Sequence, residues 1–181
     1  MRDLIELSDP ISARDHLRGS PSARVTLVEY GDFECPFCAK AEPVVRKLEE
    51  AFGQDLRFAF RHNPRAYDHP HARQAAEAAE AAGEQGRFWE MHDMLFAHQN
   101  ALEFDDLVKY GGALGLDIER FAAELRTAAH RRRVEEDEAS GVRSHVISTP
   151  TFFVNRVRFH DTPDFDRLNE AIELAYEDEV A

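Results

Sequence analysis

The sequence predicts an α/β fold interrupted by a helical insert. Apolar, β-branched runs alternate with helical patterns at both ends of the chain, as β-α-β at the start and β-β-α at the close. The stretch between them is helical in pattern throughout. A third observation locates the chemistry: the chain has two cysteines, and both lie in Cys35-Pro36-Phe37-Cys38, at the junction of a strand pattern with a helix pattern.

Val25-Thr26-Leu27-Val28-Glu29-Tyr30 is nearly continuous in apolar character, as in a central strand buried on both faces, and Gly31-Asp32 ends it. From Pro36, the residues Ala39, Pro43, Val44, Val45, Leu48 and Phe52 recur at helical spacing, with Gly53 as the stop signal and Pro43 predicting a kink. Leu56-Arg57-Phe58-Ala59-Phe60-Arg61 alternates as a second strand. A right-handed crossover between these two strands makes them parallel.

Between about His69 and Ser144 the pattern gives four or five helices. Ala72 to Ala82 is rich in alanine and glutamate, and Gly83 and Gly86 end it. Phe88, Trp89, Met91, Met94, Leu95 and Phe96 form the apolar face of the next helix, which reads as core. Asp105 to Leu114, Asp117 to Leu125 and Ala128 to about Gly141 complete the insert. Thr151-Phe152-Phe153-Val154 and Val157-Arg158-Phe159 then read as strands joined by a turn at Asn155-Arg156. Asp161-Thr162-Pro163 caps a final helix carrying Leu168, Ile172, Leu174 and Ala175.

A chain of 181 residues, 43% hydrophobic, can bury one core, or one core and a small subdomain. Its net charge of −13 argues against nucleic acid and anionic membranes as partners. Met1 to Ser8 holds no apolar stretch long enough for a signal peptide and no later window reads as a membrane span, so a cytoplasmic location is expected. Structural disulfides are rare in that compartment, which turns a lone Cys-x-x-Cys towards redox catalysis or metal binding.

The chemistry of the dithiol follows from its place in the chain. Only a thiolate attacks a disulfide, and free cysteine, with a pKa of about 8.5, is mostly protonated at neutral pH. Cys35 sits where a helix begins, so its negative charge meets the unpaired N–H groups and positive dipole end of that helix. Cys35 is therefore the expected nucleophile. Cys38, one turn further in, is the expected resolving thiol. Pro36 lacks an N–H at a position where one would be unpaired, and Phe37 adds apolar surface without charge.

The element order, with Cys-Pro-x-Cys opening the first helix and Thr149-Pro150 before the third long strand, resembles the thioredoxin-like fold in its DsbA-family form, and more narrowly the stand-alone DsbA-like proteins of bacteria and archaea. The matching stretches are Val25 to Cys38, Phe58 to Pro64, His69-Pro70-His71-Ala72, Gly86 to His98 and Ser148 to Asn155, and the resemblance covers residues 13–176. It implies a thioredoxin-like core over residues 1–62 and 146–181 and an inserted helical subdomain over residues 63–145. It also implies that Glu29 is a buried acid moving protons to and from the inner thiol. Burial would raise its pKa towards the range of a general base; an edge-facing glutamate with its head in water is the alternative.

The resemblance further implies a cis Thr149-Pro150 bond facing the dithiol, with the Thr149 backbone pairing with an extended substrate and Ile147, Thr149, Pro150, Pro36 and Phe37 lining the substrate side. Strongly oxidising members of the family carry histidine where Phe37 stands. The sequence departs from the pattern at Arg156, where glycine often closes the hairpin, which implies a different turn geometry there.

The expected function is thiol-disulfide oxidoreduction with protein or small-molecule thiols and disulfides, needing no cofactor. The alternative is a non-catalytic module using the dithiol to hold a metal or an iron–sulfur cluster. Two cysteines with His69 and His71 form a zinc-compatible set, but no second Cys-x-x-Cys or His-x3-5-His accompanies them, so no metal site is expected. Asp32 reads as a turn residue, and Arg131-Arg132-Arg133 and Glu135-Glu136-Asp137-Glu138 read as solvated helix faces.

Overall fold

The computed structural model describes residues 5–178. Residues 1–4, which begin the stretch read above for a signal peptide, and residues 179–181 lie outside the described residues. In chain order the elements are β1 (His16–Gly19), β2 (Val25–Gly31), α1 (Pro36–Phe52), a 3-10 turn (Gly53–Asp55), β3 (Leu56–His62), α2 (Ala72–Gly83), α3 (Phe88–Ala97), α4 (Phe104–Ala113), α5 (Ile118–Thr127), α6 (Arg131–Arg143), β4 (Thr151–Val154), β5 (Val157–Arg158) and α7 (Phe165–Asp178). The chain divides into two compact units. Among the described residues the first comprises 5–31, Lys40–Arg61 and 140–178; the second comprises Asp32–Ala39 and His62–Ala139.

The first unit is built on a mixed five-stranded sheet of order β1-β3-β2-β4-β5. The nearly continuous apolar run of β2 is buried along its whole length and occupies the centre. β4 pairs antiparallel with β2, matching Glu29 with Phe152 and Tyr30 with Thr151. Leu7, Val28, Tyr30, Ala59 and Phe153 form a core cluster, with Ile5, Ile11, Leu17 and Val146 packed against it. α7 packs on β2 and β4 and buries Leu168 and Ile172.

β1, paired antiparallel with β3, has no counterpart in the sequence reading. Four residues with Leu17 as the one large apolar side chain show no alternation long enough to register, and the strand is held by its pairing at the sheet edge. The final helix is capped later than Asp161: the Asp164 carboxylate accepts the Arg167 N–H at 3.0 Å, so Pro163 precedes the cap. The hairpin does not need glycine at position 156. Asn155 takes the left-handed conformation (φ 54°), a region asparagine tolerates, and Arg156 is not among the described residues with positive φ. Asn155 Oδ1 also accepts the Thr26 N–H at 2.8 Å.

The dominant polar feature of this unit is Arg61, whose side chain is 0% exposed. Nε and Nη2 donate to the two oxygens of Asp15 (2.7 and 3.2 Å), Nη1 to Asp9 O and Tyr30 Oη (2.9 and 3.0 Å), and Nη2 to Pro10 O (3.3 Å). That satisfies all five guanidinium N–H donors. Tyr30 Oη also hydrogen-bonds Ser140 Oγ at 2.8 Å.

The second unit centres on α2, which packs against α3, α4 and α5. Its alanines are buried almost all round the helix, because small side chains let several helix axes approach one another. The charged run of α6 is not wholly solvated, contrary to expectation. Arg133 and Asp137, four residues apart, share one face; Asp137 is buried, pairs with Arg133 and accepts the His62 N–H at 3.0 Å. Glu138 takes a two-bond ion pair from Arg73, both at 2.9 Å, while Arg132 keeps the solvated position expected of it.

Two outcomes test this packing. Burial pulls the Asp15 carboxyl up, but the Arg61 hydrogen bonds and charge, aided by Ser12, hold it below the usual carboxylate range. The stability it contributes is therefore full above about pH 4 and is lost as pH falls through the depressed value. Arg61→Met should cost about 3–5 kcal/mol at neutral pH by leaving Asp15 buried without its cation, as measured by urea unfolding. Second, a Cβ added at Gly31 would stand 2.7 Å from Cζ of the buried Phe60 ring. Gly31→Ala should lower stability by about 1–3 kcal/mol, read as a fall in melting temperature.

Candidate active site

The dithiol segment lies in the second unit. The Cys35 N–H donates to Asp32 O at 3.1 Å, closing a turn, and Cys35 O accepts the first helical bond from the Ala39 N–H at 3.2 Å. Cys35 is thus the N-cap of α1 and Pro36 its first helical residue, where a missing N–H costs nothing. At an N-cap the side chain reaches the N–H groups of the first turn, and a thiolate there also meets the positive end of the helix dipole. Both cysteines are buried, Cys35 at 3% exposure and Cys38 at 1%. Pro36 and Phe37 between them are exposed, Phe37 at 65%, giving the site an uncharged apolar rim.

The loop ahead of the helix is held by Asp32, which does more than make a turn. Its Oδ1 accepts the Glu34 N–H at 2.8 Å, the turn bond expected of it. Its Oδ2 takes the Arg65 N–H at 2.8 Å and His69 Nδ1 at 2.7 Å. Glu34 accepts the N–H of His71 at 2.8 Å and lies 2.9 Å from its Nδ1. The two histidines considered for zinc therefore spend their Nδ1 atoms on carboxylates.

Gln99, just beyond α3, completes the frame: its Nε2 donates to Phe33 O at 2.8 Å and to Cys35 O at 2.9 Å. The Phe33 ring packs against His92 and Phe96 of α3. Gln99 was missed because a glutamine at a helix end carries no pattern, and its partners lie more than sixty residues away.

The remaining expected site residues belong to the first unit. Glu29 is 1% exposed within β2, which removes the reading of a solvated edge glutamate. The Thr149–Pro150 bond is cis, and Thr151 Oγ1 donates to Ser148 O at 2.7 Å at the start of β4. Since Tyr30 pairs with Thr151, the β2–β4 register brings Glu29 and Thr149–Pro150 to the same part of the sheet. Thr149 is buried, whereas Ile147 is 78% exposed.

Comparison with known proteins matches this architecture. The family model described as Thioredoxin (Thioredoxin_4) matches residues 12–174. Among solved structures, BdbD from Bacillus subtilis superposes with a TM-score of 0.85 at 25% identity, covering 93% of this chain and 96% of that one. A thioredoxin-like oxidoreductase from Silicibacter pomeroyi DSS-3 gives 0.81 at 23% identity, with 92% and 94% covered. The Wolbachia pipientis alpha-DsbA1 gives 0.80 at 17%, with 94% and 95% covered.

Among curated sequences, the Na(+)/H(+) antiporter NhaA 1 of Salinispora arenicola is 48% identical over 96% of this chain, yet this chain spans only 26% of its length. Antiport is named for that whole protein; among the described residues no helix is long and apolar enough to cross a membrane. With nearly its whole length matched by the family model and a DsbA-type helical insertion in its fold, the chain belongs to the Thioredoxin_4 family as a DsbA-like thioredoxin-fold protein.

Proposed function

We propose that the protein is a thiol-disulfide oxidoreductase acting through Cys35 and Cys38. The observation that carries this reading is the N-cap position of Cys35, which supplies the electrostatic support a thiolate needs, with a second thiol one turn further along the same helix. In the reducing direction the Cys35 thiolate attacks a partner disulfide, forming a mixed disulfide and expelling one partner thiolate. The Cys38 thiolate then attacks Cys35 Sγ, closing the Cys35–Cys38 disulfide and releasing the second partner thiol. The partner gains two electrons and the dithiol loses two; the reverse sequence oxidises a partner. Direction is set by the potential of the pair against that of its partner, with 30 mV worth about 1.4 kcal/mol.

The exposed Pro36-Phe37 step suits apolar stretches of a protein partner. Within the first unit, we assign Ile147, Thr149 and Pro150 to substrate binding and Glu29 to proton exchange, on the family likeness together with the exposure of Ile147 and the burial of Glu29.

Cys38→Ala should accumulate Cys35 mixed disulfides, visible as adducts on non-reducing gels and by mass spectrometry, while Cys35→Ala should reduce disulfide exchange to the uncatalysed rate. Absence of any adduct with protein or small-molecule disulfides would overturn the reading. The metal-module alternative predicts instead stoichiometric metal in anaerobically purified protein, lost in Cys35→Ala.

A further inference from the structure

Ionising Cys35 has an electrostatic obstacle. Two carboxylates, Asp32 and Glu34, stand in the three residues before it, and Asp32 is buried and bonded through its main chain to the Cys35 N–H. Negative charge on the segment that leads into Cys35 disfavours a thiolate there, the more so inside the protein, where water screens it poorly. Each carboxylate, however, is engaged by one histidine of the His69-Pro70-His71 segment. The His69–Asp32 pair is the better shielded, with side-chain exposures of 20% and 0%. Charged groups that also bear on it include Glu34, which pairs with His71, and Cys35, while the Arg65 guanidinium bonds Asp68 at 2.9 Å.

We propose that His69 is a charge-balancing residue for the dithiol: its protonated ring cancels the buried Asp32 carboxylate and so permits Cys35 to carry a thiolate at neutral pH. This rests on the thiol-disulfide reading of Cys35 and adds a regulatory proton to it. His69 acts through Asp32, so it is a positioning residue. Burial pulls the His69 ring towards its neutral form, but the hydrogen bond and charge of Asp32, with the charges of Cys35 and Glu34, outweigh burial and hold it above the ordinary histidine range.

The coupling is reciprocal: a Cys35 thiolate strengthens the hold of His69 on its proton, so a protonated His69 favours the thiolate. Once the pair closes to a disulfide the Cys35 charge is gone and His69 should release its proton at lower pH. Being raised on folding, His69 contributes stability that is full below about pH 6.5 and is lost as pH rises through its folded value. The loop geometry does not depend on that proton, because the Glu34 and Arg65 N–H groups hold the Asp32 carboxylate independently.

The test is the ultraviolet thiolate titration of Cys35 in a Cys38→Ala background. His69→Gln should move its midpoint up by roughly one pH unit, and adding Asp32→Asn should bring it back towards the parent value. A lost structural contact would not be repaired by a second substitution. An unchanged midpoint in folded His69→Gln protein, or a double variant as high as the single one, would overturn the proposal. Should His69→Gln not fold, NMR titration of the His69 ring in the wild-type dithiol and disulfide forms decides: a higher midpoint in the dithiol form supports the coupling, and equal midpoints refute it. Neither measurement uses turnover, so failure to trap a partner at Cys35 would remove the oxidoreductase reading without imitating either result.

Discussion

A guanidinium shut away from water constrains the sheet-bearing unit more than any other single group. Arg61 can be buried only because every one of its N–H donors finds an oxygen. Those oxygens come from the amino-terminal segment (Asp9, Pro10 and Asp15) and from Tyr30 on β2, so the unit cannot close around β3 until all of these are in place. Tyr30 passes the connection on to Ser140 in α6, Ser144 Oγ donates to Ser140 O, and the Ser8 N–H returns to Ser144 Oγ. The result is one hydrogen-bonded chain linking the amino-terminal segment, the neighbouring strands β3 and β2 and the end of α6. Such a chain contributes less to net stability than to uniqueness, because every alternative packing would strand a charge.

The same rule, with acceptor and donor exchanged, organises the dithiol. Asp32 is a buried carboxylate surrounded by three donors, and Gln99 supplies donors to the carbonyls of Phe33 and Cys35. Between them they fix the loop that delivers Cys35 to the start of α1. The helix terminus can support a thiolate only if the sulfur is held there, and these hydrogen bonds hold it.

Much of this was legible in the chain. The two cysteines, the apolar run of β2, the five helices of the insert and the closing hairpin all announce themselves through spacing over a few residues, because burial on one face or both imposes a local period. β1 did not, being too short for a period and dependent on β3 for its pairing. Nor did Arg61, which in an alternating strand looks like any outward-facing arginine, or Arg133 and Asp137, which within a charged run look solvated. Arg61 meets Asp15 from 46 residues away and Asp137 accepts the His62 N–H from 75 residues away, so groups distant in the chain decide whether these charges face water or a partner.

The sequence by itself determined that this is an α/β chain with a helical insert and a dithiol at a strand-to-helix junction, since those features are written in local spacing and in the identity of two residues. Only the tertiary structure decided what surrounds the dithiol. It showed Asp32 as the hub of a loop, His69 and His71 as partners of carboxylates and Gln99 as a clamp on the Cys35 carbonyl. The reason is physical: a hydrogen bond or ion pair is specified by two groups and the distance between them, and here the partners are separated by more than thirty residues, where no period in the sequence reaches.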